Sequence, residues 1–255
     1  MDFKMAAYTD AGIKKSTNQD SVLIKAARTD EGNVLFAAVC DGMGGLEKGE
    51  LASATLVRMF SRWFEKQFPQ MLYQGICMEN LQKNWTSLIY QANAKILNYS
   101  RTIHAAMGTT MVVLLIIGQR YYIGNVGDSR IYQLRDELVQ LTKDHTLIQK
   151  EVEEGRITAE EARRDLRRNV LLQCVGVCER IEPDFYTGVV APGTMFLLCS
   201  DGFRHVISSE EIYQYLTPYK IFTEQAMKES LIYLTDLNKY RRETDNISAA
   251  LVRAD

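Results

Sequence analysis

Apolar and polar positions follow two rhythms along this chain. Val34–Cys40, Thr109–Ile117, Arg120–Val126, Arg130–Leu134, Phe185–Val190, Thr194–Cys199 and Ile247–Val252 are short and rich in apolar and β-branched residues, as strands are. Gly118-Gln119 between two of these runs predicts a tight hairpin, and Arg135-Asp136-Glu137 predicts a second turn. Successive hairpins imply antiparallel pairing rather than a doubly wound parallel sheet. Elsewhere the spacing is helical. Ala52, Leu56, Met59, Phe60 and Trp63 form one stripe, and Leu81, Trp85, Leu88, Ala92 and Ile96 form another. Ala226, Tyr233, Leu234, Leu237 and Tyr240 form a weaker third. Short helices are expected over Leu147–Glu154 and Ala159–Arg168, the second opened by a Thr158-to-Glu161 capping box. Strands in groups, with helices between and after them, predict antiparallel sheets faced by helices.

Composition narrows this picture. The chain has 255 residues, no Pro/Gly/Ser-rich linker and only four prolines, which favours one domain over residues 1–255. The formal net charge of -2 gives no general attraction to nucleic acid or anionic membrane. Met111–Ile117, the longest strictly apolar run, is far too short to span a bilayer. The start of the chain lacks the apolar region of a signal peptide. An odd set of five cysteines without a CxxC pair argues against a disulfide framework or a structural zinc site. Cys40 and Cys199 end apolar runs and are expected to be buried small hydrophobes, while Cys174 and Cys178 can share a helix face. Reduced thiols fit a cytoplasmic location.

The candidate chemistry lies in aspartates. Asn18-Gln19-Asp20, Asp41-Gly42-Met43-Gly44-Gly45, Ser200-Asp201-Gly202 and Asp245-Asn246 are far apart in sequence. Asp41 and Asp201 follow strand-like runs, and Asp245 precedes one. Carboxylates collected at one sheet edge repel each other, which raises their proton affinity. Hard divalent cations with oxygen preference relieve that repulsion, so a metal site built from distant segments is expected. The glycines after Asp41 fit either a close approach of backbone to a ligand or a plain glycine turn.

In order along the chain, these motifs are joined by Thr9-Asp10-Ala11-Gly12, Gly49-Glu50, Met107-Gly108-Thr109-Thr110, Asn125-Val126-Gly127-Asp128-Ser129-Arg130, Thr142-Lys143-Asp144-His145-Thr146, Arg168-Asn169-Val170-Leu171 and Thr244-Asp245-Asn246-Ile247-Ser248. The ordered set resembles the bacterial branch of the metal-dependent type 2C protein serine/threonine phosphatases. The resemblance implies an α+β fold, a central sandwich of two antiparallel β-sheets flanked by α-helices in four αββα layers. It also implies Mg2+ or Mn2+, two ions and a weaker third. Asp41 matches the carboxylate bridging two metals, Gly42 a carbonyl ligand, and Asp201 and Asp245 ligands of the second metal. Asp20 matches a carboxylate that holds the metals' water shell. Asp128 matches a residue of the third-metal site, which shares Asp201, or is a turn aspartate capping a hairpin. The implied reaction is hydrolysis of phosphoserine and phosphothreonine in proteins by a metal-activated water, opposing a Ser/Thr kinase. The expected partners are phosphorylated proteins, with no nucleic acid and no membrane, and the chain is expected to be a monomer. A phosphoprotein-binding module without catalysis, or a phosphatase dedicated to one regulatory partner such as an anti-anti-sigma factor, are the alternatives.

The chain departs from the family pattern in places. Lys15 stands where the family carries a phosphate-gripping arginine, keeping the charge but losing the two-pronged fork. It is either a substrate-phosphate contact or, with Lys14, a solvated surface charge. Gln19 stands where some members have glutamate, and Met43 where animal members carry a histidine. Residues 144–180 resemble the family's flap, where Arg163, Arg164, Arg167 and Arg168 attract acidic substrates or form a solvated helix face. His145 and His205 fall near site motifs, without a catalytic role assigned to either.

Overall fold

The strands, in chain order, are β1 (Phe3–Asp10), β2 (Ser21–Thr29), β3 (Gly32–Cys40), β4 (Gly42–Gly44), β5 (Met107–Thr109), β6 (Met111–Ile117), β7 (Arg120–Val126), β8 (Arg130–Leu134), β9 (Leu138–Gln140), β10 (Asp184–Val189), β11 (Thr194–Cys199) and β12 (Ile247–Ala254). The helices are α1 (Gly49–Lys66), α2 (Phe68–Tyr73), α3 (Met78–Ile103), α4 (Leu147–Glu153), α5 (Ala159–Arg164), α6 (Ser209–Leu216) and α7 (Glu224–Tyr240). The structure is a computed structural model and describes residues 1–30, 32–44 and 48–255. Gly45 of the glycine-rich motif lies outside the described residues, as do the side chains of Arg163 and Arg164.

Two five-stranded sheets, ordered β1-β12-β11-β8-β9 and β10-β7-β6-β3-β2, pair antiparallel throughout. Alternation along β3 shows how they stack. Leu35, Ala37 and Val39 meet Phe196, Leu198, Ala250 and Val252 of the other sheet. Val34, Phe36, Ala38 and Cys40 face the opposite way, into a layer made by α1 and α3. Both faces of β3 are therefore covered, which is why it reads as an unbroken apolar run. In the α1–α3 layer Phe36, Phe60, Trp63 and Trp85 pack ring on ring, with Trp63 and Trp85 centroids 5.7 Å apart and tilted by 75°. That edge-to-face packing suits aromatic quadrupoles. On the far side, Leu197, Cys199 and Leu251 pack against Ile212 and Leu216 of α6 and Met227, Leu231 and Leu234 of α7. The four αββα layers are thus as expected.

Several local features match the sequence reading. Gly118 takes a positive φ of 54° in the two-residue turn between β6 and β7. The Thr158–Glu161 capping box is formed in full at α5. Cys40 and Cys199 are buried. Other features differ. The expected strand Thr109–Ile117 is two strands, because its start pairs with β4 and the rest with β3 and β7. Thr110 is the joint. Its N–H donates to Asp41 O (2.9 Å), and its hydroxyl accepts from Asp41 N (3.0 Å). α5 ends at Arg164 rather than Arg168, since Asp165 is extended and its carboxylate accepts the Arg167 N–H (2.8 Å). β1 and β2 sit at sheet edges with mixed burial, so their apolar signal is diluted. Among the described residues no helix is long and apolar enough to cross a membrane.

Candidate metal centre

β3 runs antiparallel to β2, with Ser21 opposite Cys40, so Asp20 and Asp41 come to the same end of their sheet. In the other sheet β11 ends at Cys199 where β12 begins, with Cys199 opposite Ala249. Asp201 and Asp245 therefore meet at that same end. Asp128 lies in the loop from β7 to β8. Five aspartates from five segments converge because antiparallel register leaves them no other place.

Close backbone crossings fix this convergence. A Cβ on Gly42 would lie 2.3 Å from Gln19 O and 2.4 Å from Gly49 O. One on Gly202 would lie 2.2 Å from Asn246 O. Only glycine lets these chains touch. Asn246 staples the crossing from the side. Its Oδ1 accepts Gln19 N–H (2.9 Å), and its Nδ2 donates to Ala11 O (2.9 Å) and Thr17 O (3.2 Å). The Ser53 hydroxyl donates to Gln19 O (2.6 Å). Gln19 is buried, and its amide satisfies both neighbours when it donates to Gly42 O (3.3 Å) and accepts from Gly49 N (3.2 Å).

The electrostatics record the crowding. Loss of hydration pushes the Asp41 carboxyl well above the ordinary carboxylate range, and the charges of Asp20, Asp201, Asp128 and Asp245 push it further. Burial raises Asp20 to about 7, with Asp201 and Asp245 adding to the shift and the hydroxyls of Ser248 and Ser200 opposing it. Both oxygens of Asp20 and Oδ1 of Asp201 are buried without a well-formed hydrogen bond, although the Ser200 and Ser248 hydroxyls lie near enough to Asp20 to favour its charged form. Buried polar atoms in a folded protein are nearly always paired, and these three are carboxylate oxygens set close to other acids. No group of three His, Cys, Asp or Glu side chains among the described residues is drawn into a ready-made metal cage. The acids instead face each other closely enough to raise one another's proton affinity.

The rim is more fully paired. Asp201 Oδ2 is 3.3 Å from His205 Nε2, and His205 Nδ1 is 3.4 Å from Glu243 Oε2. The other Glu243 oxygen accepts from Thr244 N (2.7 Å) and Asp245 N (2.9 Å), so this chain of contacts ties one aspartate loop to the other. Lys15 Nζ is 3.3 Å from Asp245 Oδ1, both partly exposed, which brings Lys15 to the edge of the acid cluster. Burial raises Asp128 to about 7; the Asp201 charge adds to this and Arg204 opposes it. Arg204 Nη2 donates to Asp128 O (2.8 Å) and lies 3.4 Å from Asp144 Oδ2 and 3.7 Å from Asp128 Oδ2. Arg130 grips Asp144 with two prongs (2.8 and 2.7 Å). His145 sits apart from the acids. Its Nδ1 accepts Gly127 N–H (3.1 Å), and its Nε2 is 3.1 Å from Asp184 Oδ2. A cavity of about 590 Å3 opens beside Asp128, between α4, α5 and the start of α6, with Arg168, Asn169 and Ser208 in its lining.

The sequence reading named the acids but missed Asn246, Glu243 and Arg204 as working parts. Asn246 stood inside a quoted motif. Arg204 carried no pattern that would single it out.

The family Protein phosphatase 2C matches residues 11–239. The chain is 32% identical to the serine/threonine phosphatase stp of Listeria monocytogenes over 251 residues, which is 97% of this chain and 94% of that protein. The crystal structure of the Mycobacterium tuberculosis serine/threonine phosphatase PstP/Ppp superposes with a TM-score of 0.84 at 30% identity, covering 99% of each chain. A PstP catalytic domain in complex with 2 manganese ions superposes with a TM-score of 0.80 at 30% identity, also over 99% of each chain. With likeness of this extent running nearly end to end, and with the acids gathered as they are, the chain belongs to the protein phosphatase 2C family.

Proposed function

We propose that this chain is a metal-dependent protein phosphatase that hydrolyses phosphoserine and phosphothreonine, with Asp41, Asp201, Asp245 and the Gly42 carbonyl as ligands and Asp20 beside them. The observation carrying this reading is the set of buried, unpartnered carboxylate oxygens at one end of the sandwich. The donors are hard oxygens carrying surplus negative charge, which fits Mg2+ or Mn2+ and not a soft metal. Bound there, such ions supply Lewis acidity that lowers the pKa of water and draws charge from phosphoryl oxygens.

The chain's own residues do the rest. Asp20, whose oxygens take no well-formed hydrogen bond from the protein, accepts hydrogen bonds from water in the site. Lys15, at the rim, exchanges its contact with Asp245 for a phosphoryl oxygen of the incoming substrate. Asn246 and the glycine crossings hold the ligand loops in register, so productive geometry exists before substrate arrives. Residues 144–180 form a flap over the cavity beside Asp128, and the phosphoprotein approaches along it. The thiols take no part, since burial pushes those of Cys40 and Cys199 above the ordinary thiol range. Cellular substrates are the products of a Ser/Thr kinase that this enzyme opposes in the cytoplasm. Phosphate release from a phosphoserine peptide should vanish in chelator and return with Mn2+. Release that persists unchanged in chelator would contradict the proposal.

A further inference from the structure

Two acids at this end of the molecule are not left waiting for a cation. Asp128 and Asp144 lie among Arg130 and Arg204, and the four form a chain of contacts from the β7–β8 loop to the first turn after Asp201. Arg130 holds Asp144 by two short hydrogen bonds. Arg204 reaches Asp144 at 3.4 Å and Asp128 at 3.7 Å through the same nitrogen that donates to Asp128 O at 2.8 Å. Two guanidiniums face the two carboxylates of Asp128 and Asp144, and Asp201 stands beside Asp128 as a further acid. Guanidinium does not deprotonate in proteins, so the positive charge is permanent. The Arg204 side chain is only 12% exposed. Moving it out would strip its hydrogen bond from the Asp128 backbone and leave both acids without it.

The expectation from family resemblance was a third ion shared by Asp128 and Asp201. The residues present do not fit it. Asp128 has Arg204 against it, and Asp201 Oδ2 faces His205 Nε2 at 3.3 Å. A divalent cation entering there would meet a fixed positive charge instead of an open carboxylate. Both oxygens of Asp20 and Oδ1 of Asp201 are buried without a well-formed hydrogen bond, and so is Nε of Arg204.

We infer that the Arg204 guanidinium takes the place of an ion beside Asp128, so that this chain holds two divalent cations and not a third. The inference rests on the proposed two-ion phosphatase site. Arg204 is a positioning residue in this scheme. It also links the rim of the metal centre to Asp144, where the segment bearing α4 and α5 begins.

Equilibrium dialysis of the full chain against millimolar free Mn2+, with bound metal counted per chain, tests this directly. The wild-type chain is expected to retain two ions. Arg204→Met is expected to retain three, the added one weak. Asp128→Asn in the otherwise wild-type chain is expected to leave the count at two. Three ions on the wild type would overturn the inference. So would an unchanged count of two in a folded Arg204→Met, or loss of an ion in Asp128→Asn. The wild-type and Asp128→Asn counts decide the matter even where Arg204→Met does not fold. No bound ion on the wild type would sink the phosphatase proposal itself, a result distinct from finding three.

Discussion

Asp41 and Asp128 make an instructive pair. Both follow the end of a β-strand, and both have carboxyls pushed upward by lost hydration and by Asp201. They differ in what faces them. Around Asp41 stand four more acids, Asp128 among them. Around Asp128 stands Arg204, itself tied to Asp144 and through it to Arg130. The fold thus sets the same residue type in two surroundings, one of acids alone among its main electrostatic neighbours and one where an arginine partly offsets the acids. Removing a carboxylate from each region should therefore have opposite consequences for the folded chain.

The largest effect is expected from Asp41→Asn. Phosphatase activity at saturating Mn2+ should fall by at least about a hundredfold, since even outer-shell changes cost ten- to a hundredfold at metal sites. In chelator the same variant should melt higher than wild type, because a repelled charge has gone. Equal melting with full activity would erase the contrast. Asp144→Ala should do the reverse, costing about 3 kcal/mol in urea denaturation by leaving Arg130 and Arg204 without their shared partner. A neutral result there would mean the arginines are not committed to these acids.

Gly202→Ala acts on the acid cluster through the backbone alone. Its new Cβ would overlap Asn246 O, so the Asp245 loop must shift, at about 1–3 kcal/mol. Weaker Mn2+ binding in a still-folded variant is the expected sign, and unchanged binding would show that the crossing does not set the site's geometry. The smallest effect belongs to Lys15→Ala. Lys15 and Asp245 are partly exposed, so stability should hardly move, while KM for a phosphopeptide should rise about fivefold. An unchanged KM would return Lys15 to the status of a surface charge.

The contrast between the two regions also explains what could be read from residues alone. β3, β6, β11 and β12 are covered on both faces, so their sequences carry unmistakable apolar runs. β1 and β2 are sheet edges, and Lys25 and Arg28 dilute the signal of the second. Acids at strand ends announce themselves because such charge has a chemical purpose. Arg204 does not, because its meaning lies in contacts with Asp128 and Asp144, far away in sequence. Asn246 is similar. It holds Ala11, Thr17 and Gln19 from the opposite end of the chain, a relation that exists only after β1 has paired with β12. Residues that act by long-range hydrogen bonding leave no local period to detect.

Anomalous scattering from crystals soaked in Mn2+ would locate the ions most directly. Two peaks are expected, both within ligand distance of Asp41, with Asp201 and Asp245 completing one of them and nothing beside Asp128. A map without a peak at Asp41 would contradict the proposed metal centre.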